Sequence, residues 1–161
     1  MLSILLALAL PGFQGLIERW RVQQAVDSLR STMFYARSEA IRRGGDVFVQ
    51  KLPADTPGCA PAQERADWDC GWLVFVHTDA QREQRQVLQR FMPSSRLTVT
   101  RSTASDTIAV DRWGVIGGGD SVGFSIAPAS SSNAGQAAKD VCISPGGRIQ
   151  VVARAASACA A

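Results

Sequence analysis

Residues 22–45 read VQQAVDSLRSTMFYARSEAIRRGG, and this stretch decides the fold. Val22, Val26, Leu29, Met33, Ala36 and Ala40 recur at alternating steps of four and three, the spacing that lines up side chains on one face of a helix. The opposite face carries Arg21, Gln24, Ser28, Arg30 and Arg42. A helix with a single apolar stripe is built to lie on a domain. Arg42 and Arg43 fall in its last turn, where cations complement the negative end of the helix dipole, and Gly44-Gly45 supply the stop.

Upstream the texture changes. Residues 1–10 read MLSILLALAL, apolar apart from Ser3, and weaker apolar character continues through Pro11, Gly12, Phe13, Leu16 and Ile17 until Glu18 brings the first charge. A spanning helix needs about 20 apolar residues, and a run in the low teens is more typical of a signal-peptide core or a buried helix. A secretory signal has a basic segment before that run and a small-residue cleavage site after it; here no basic residue precedes the run and Pro-Gly-Phe-Gln-Gly follows it. If helical throughout, residues 2–43 extend about 60 Å at ~1.5 Å per residue. Pro11 is expected to kink or locally melt that helix. Such a segment makes physical sense when its first part lies in lipid or in a bundle of subunits and its second part packs a stripe on a domain. The chain is accordingly divided into a protruding N-terminal helix, 1–27, and a head, 28–161.

Beyond Gly45 come short β-branched and aromatic runs separated by turn residues, which is how antiparallel sheets read. Strands are expected at 47–52, 71–76, 86–92, 97–101, 107–110, 121–126, 141–144 and 148–153. Ser144-Pro145-Gly146-Gly147 suits a type II turn between the last two. The segments 53–67, with three prolines, and 127–138, rich in serine, alanine and glycine, read as surface loops. The fold class is therefore α+β: a long N-terminal helix packed on an antiparallel head. With 161 residues the chain holds one such head and no second domain.

Four cysteines, Cys59, Cys70, Cys142 and Cys159, show none of the close CxxC spacing of a zinc ribbon or a dithiol redox site. Three pairings are possible, and sequence proximity favours Cys59 with Cys70 and Cys142 with Cys159. Disulfides place the head outside the reducing cytosol. Net charge is +3 with 19% charged residues, too mild to mark a nucleic-acid binder by composition.

Catalytic chemistry finds little support. The one histidine, His77, stands beside Thr78 and Asp79 without a local nucleophile, and reads as a surface loop residue. Gly117-Gly118-Gly119-Asp120 lacks the spacing of a phosphate cradle and reads as a flexible turn. Asp67 and Asp69 flank Trp68, but two carboxylates fall well short of the six to eight oxygens calcium takes. No cofactor, metal or small-molecule substrate is expected. Trp20, Trp68, Trp72 and Trp113 are expected as core or interface anchors.

Taken together, the segments resemble the GspH/FimT family of minor pilins and pseudopilins within the type IV pilin superfamily. The residues that carry the resemblance are Ile4-Leu5-Leu6-Ala7-Leu8-Ala9-Leu10-Pro11, Phe13, Arg21-Val22-Gln23-Gln24-Ala25 and Leu29. Ala36-Arg37-Ser38-Glu39-Ala40-Ile41-Arg42-Arg43-Gly44 is the most distinctive stretch, and Trp68, Gly71-Trp72-Leu73-Val74-Phe75 and Gly147-Arg148 complete it. The resemblance implies a single-pass inner-membrane protein with a periplasmic head, later built into a type IV pilus or a type II secretion pseudopilus beside other pilin-like subunits. Ile4, Leu5, Leu6, Leu8, Leu10, Pro11 and Phe13 then form the filament and membrane segment, in contact with inner-membrane lipid. Members are made with a short basic leader and a peptidase site reading roughly Gly-Phe-Thr-Leu-Ile-Glu; neither stands in this sequence, so Met1 is expected to fall inside a longer membrane helix. No catalytic activity is implied. The alternative the resemblance offers is double-stranded DNA capture in natural transformation. Some FimT-like pilins use Gly-Arg-x-Arg near the C-terminus. Here Gly147-Arg148-Ile149-Gln150 lacks the second arginine, while Arg154, six residues after Arg148, falls on the same face of an extended strand. Arg148 and Arg154 are thus the candidate DNA contacts, expected to be salt-dependent and phosphate-directed.

Overall fold

The computed structural model describes residues 2–57, 59, 64–79, 81–129, 134–154 and 159, with side chains of the first helix described from Gln14 onward. Helix α1 runs Leu2–Arg43. A kink or local melting was expected at Pro11; the backbone does not melt there but stays helical, since proline removes only one internal hydrogen bond and the long helical run on both sides holds the segment. The side chains of Ile4, Leu5, Leu6, Leu8, Leu10, Pro11 and Phe13 lie outside the described residues.

Eight strands follow: β1 Val47–Lys51, β2 Trp72–His77, β3 Arg85–Phe91, β4 Leu97–Arg101, β5 Thr107–Val110, β6 Val122–Pro128, β7 Lys139–Ile143 and β8 Ile149–Ala153. A short helix, α2 Ala134–Ala137, stands in the segment expected to be all loop. The strands form two antiparallel four-stranded sheets, β3-β2-β1-β5 and β4-β6-β7-β8. The chain therefore leaves the first sheet after β3, places β4 at the edge of the second, and returns with β5 to pair with β1.

Period-two alternation sorts each strand between faces. In the first sheet Val47, Val49, Trp72, Val74, Val76, Ile108 and Val110 enter the main core. Leu73 and Phe75 turn to the other face and join Leu52 and Cys70 in a second small cluster. In the second sheet Leu97, Val99, Val122, Phe124, Ile126, Val141 and Ile143 enter the main core. The helix stripe closes the space between them: Val22, Val26, Leu29, Met33, Ala36 and Ala40 are all buried there, with Ala25 beside them. Among the described side chains, burial begins at Val22.

The helix ends in a Schellman arrangement, in which Gly44 takes a left-handed φ of 82° and the Gly45 amide donates to the Ala40 carbonyl at 2.8 Å. The β7–β8 turn differs from the type II form expected. Gly147, not Gly146, holds the positive φ, 85°, and the Gly147 amide donates to the Ser144 carbonyl at 2.8 Å. Pro145 and Gly146 thus make a turn with no left-handed residue, and Gly147 follows as the left-handed residue of a bulge.

Two disulfides pin the head. Cys59 joins Cys70 and Cys142 joins Cys159.

Candidate functional site

Helix α1 has two apolar sides from position 16 onward. One is the buried stripe. On the other, Leu16, Trp20, Phe34 and Ile41 are exposed, with Ile17 beside them. Leu16 lies one turn before Trp20, and Trp20, Phe34 and Ile41 are separated by multiples of seven residues, so at about 100° per residue they share a stripe on the side away from the buried one, whose Ile41 end borders the head with Cδ1 beside Gly114. Asp27 occupies the same line and accepts from the Gln23 amide at 3.1 Å. Trp20, a large amphipathic side chain, is 64% exposed. Large exposed aromatics aligned on one face signal an interaction surface. Among the described residues no helix is long and apolar enough to cross a membrane.

The distinctive stretch from Ala36 to Gly44 holds this helix to the head. Ala36 and Ala40 face the core. Arg37 reaches across the fold and donates from Nη1 to the Gly146 carbonyl at 2.6 Å, its guanidinium lying over Gly147 where a Cβ would stand. Glu39, with its side chain only 8% exposed, accepts from Arg42 at 2.7 Å and Arg43 at 2.6 Å. Those two guanidinium hydrogen bonds hold its carboxyl below the usual carboxylate range, against a smaller upward push from burial. One buried carboxylate thus anchors two arginines over the helix C-terminus.

Of the four tryptophans, Trp68 and Trp72 are fully buried, while Trp20 and Trp113 are exposed. Each buried indole finds an acceptor: Trp68 Nε1 donates to the Ser105 carbonyl at 3.2 Å and Trp72 Nε1 to Thr32 Oγ1 at 3.0 Å. His77 is not a loop residue. It ends β2, and its ring meets Phe48 and Phe75 edge-on at 5.3 and 5.4 Å. Gly117–Gly119 forms a 3-10 turn. Asp67 accepts from the Glu64 amide and Asp69 from the Val99 amide, so both serve the local backbone. Among the described residues no group of three potential metal ligands occurs.

Arg148 and Arg154 flank β8, whose bounds are Ile149–Ala153, and both are exposed. Six residues of extended chain at ~3.3 Å each put their backbones about 20 Å apart. Nothing in the described residues gathers them into one site.

Arg37 and Thr32 are the site residues the sequence reading missed. Arg37 stands 109 residues from its acceptor, beyond any local pattern; the Pro-Gly-Gly turn was its only trace. Thr32 falls inside the buried stripe, where a polar residue signals a buried partner.

Comparison with known proteins follows this geometry. The family described as Type II transport protein GspH matches residues 25–147. No curated protein matches the sequence. Among solved structures, the type IV minor pilin FimU of Pseudomonas aeruginosa is similar in two crystal forms, each at 23% identity. One aligns over 88% of this chain and 97% of that chain with a TM-score of 0.65, the other over 86% and 99% with a TM-score of 0.61. The minor pseudopilin EpsH of the Vibrio cholerae type 2 secretion system aligns over 83% and 97% at 14% identity, with a TM-score of 0.57. At these identities the likeness is one of fold: a long helix against antiparallel sheets.

Proposed function

Because the chain belongs to the GspH family of type II transport proteins, we propose that it is a structural minor pilin or pseudopilin, working in the assembly or at the tip of a type IV pilus or a type II secretion pseudopilus. The observation that carries this reading is the second apolar side of α1. Leu16, Trp20, Phe34 and Ile41 are exposed on a helix whose other side is already committed to its own head. A monomer gains nothing by presenting them to water, whereas a neighbouring pilin-like helix buries them. Each large side chain so buried contributes about 1.5–3 kcal/mol of transfer free energy.

The apolar run at residues 1–10 is held by inner-membrane lipid before assembly and by neighbouring helices afterwards, with the head on the periplasmic side. The two disulfides suit that compartment. The role is one of packing and requires no catalytic site.

Photo-crosslinking tests the reading. A benzophenone amino acid replacing Trp20 in the source organism is expected to trap pilin-like subunits. The same group replacing Trp113, 77% exposed in a loop of the head, serves as the comparison. Equal capture of unrelated proteins at both positions refutes the proposal.

A further inference from the structure

The outward line of α1 is not uniformly apolar. Trp20, Asp27, Phe34 and Ile41 follow one another at steps of seven residues, so a carboxylate stands between two aromatic side chains on the face proposed for assembly. All four are exposed. The Gln23 amide donates to both Asp27 carboxylate oxygens at 3.1 Å. Arg30 stands three residues further along the helix, but exposed pairs of that spacing hold weakly in water.

Asp27 also belongs to an open groove of about 400 Å³, lined by Trp20, Gln23, Gln24, Asp27, Ser28 and Ser31. Among these, Trp20 is the one large side chain, Ser28 and Ser31 are short, and Asp27 carries the only charge. Two short residues let a long side chain from outside lie close to the helix backbone. While the groove faces water, the carboxylate is solvated. Packing changes that. A helix laid along Trp20, Phe34 and Ile41 covers Asp27 as well, and a carboxylate taken out of water is costly unless a cation meets it. The neutral Gln23 amide supplies a hydrogen bond but no charge.

The covering helix therefore has to bring the cation. Arginine fits the groove better than lysine, because its planar guanidinium offers paired donors to a carboxylate and stacks on an aromatic face, while its aliphatic stem can lie over the short serines. We propose that a neighbouring pilin-like subunit inserts an arginine side chain into this groove, pairing with Asp27 and lying against Trp20. Asp27 then selects both partner and register. A neighbour that presents an apolar residue here, or one slipped by a helical turn, buries the carboxylate unpaired. This inference rests on the assembly reading and adds to it the chemistry of the partner.

The test places a benzophenone amino acid at Gln24, on the rim of the groove, in the full chain in the source organism, and identifies captured peptides by mass spectrometry. The expected adduct lies on the helix of another pilin-like subunit, within one helical turn of an arginine. Asp27→Asn should lower its yield roughly tenfold and Asp27→Arg should abolish it. Asp27→Arg combined with exchange of the captured arginine for aspartate should restore it. Arg30→Gln should leave it unchanged. An adduct on a second copy of this chain, an adduct with no arginine within a turn, an undiminished yield in Asp27→Asn, or an equal loss in Arg30→Gln overturns the proposal, while capture at Trp20 still supports assembly. Capture at neither Trp20 nor Gln24 removes both. Should the Asp27 variants fail to fold, the position of the adduct formed with Asp27 intact decides.

Discussion

The indole of Trp72 on β2 donates to Thr32 Oγ1 on α1 at 3.0 Å, inside the core, and the same hydroxyl donates to the Ser28 carbonyl at 2.8 Å. One threonine thus serves as acceptor for the sheet and donor for the helix. Thr32→Val keeps the shape and removes both bonds, leaving a buried indole N–H unsatisfied. It is expected to cost about 1–3 kcal/mol in urea unfolding, with Thr32→Ser recovering most of it.

Arg37 and Gly147 form a second tie. Gly147→Ala forces a side chain into a left-handed backbone and onto the Arg37 guanidinium, for an expected loss of about 1–3 kcal/mol. In an Arg37→Ala background the collision disappears and only the backbone strain remains. The double-mutant cycle should therefore show a coupling energy well outside error, whereas independent sites would be additive.

Acid dependence has two contributors of opposite sign. Glu39 is held below its ordinary pKa, first by its hydrogen bonds to Arg42 and Arg43. Its contribution is full above the unfolded carboxylate pKa and is lost as pH falls through the depressed folded value. Asp69 is raised, chiefly by burial, against a downward pull from the Val99 amide. Its contribution is full below the unfolded pKa and is lost as pH rises through the raised folded value. Stability measured from pH 3 to 7 should accordingly rise less steeply in Glu39→Gln and more steeply in Asp69→Asn.

The Cys142–Cys159 bond spans 17 residues. Replacing both cysteines by alanine is expected to cost about 3 kcal/mol from loop-closure entropy. Removing Cys59 and Cys70 loosens the cluster with Leu52, Leu73 and Phe75 as well, so thermal unfolding should reveal losses in both pairs.

Much of this architecture was legible because it is written in short periods. The steps of four and three from Val22 to Ala40 named the helical residues that are buried, and β-branched and aromatic runs between turn residues named the strands to within a few positions. Strand order was not legible, since the return of β5 to pair with β1 joins residues such as Val49 and Ile108 that no local pattern connects. The turn type at Pro145-Gly146 was misjudged for a related reason: the Arg37 guanidinium lies against Gly147, from which it is distant in sequence. His77 escaped for want of any signal that Phe48 and Phe75 would stack at 5.3 Å beside it. The outer stripe of α1 was hidden by the inner one, because Leu16, Trp20, Phe34 and Ile41 stand out only once the buried side is known.

That outer stripe is tested most directly by separating assembly from stability. Trp20→Glu and Phe34→Glu alter exposed side chains and should leave the unfolding free energy of the isolated chain within about 0.5 kcal/mol of wild type. In the source organism the same substitutions should abolish co-isolation of the protein with sheared pili or pseudopili and with other pilin-like subunits. Undiminished co-isolation of both stably folded variants would contradict a role for this face in the filament.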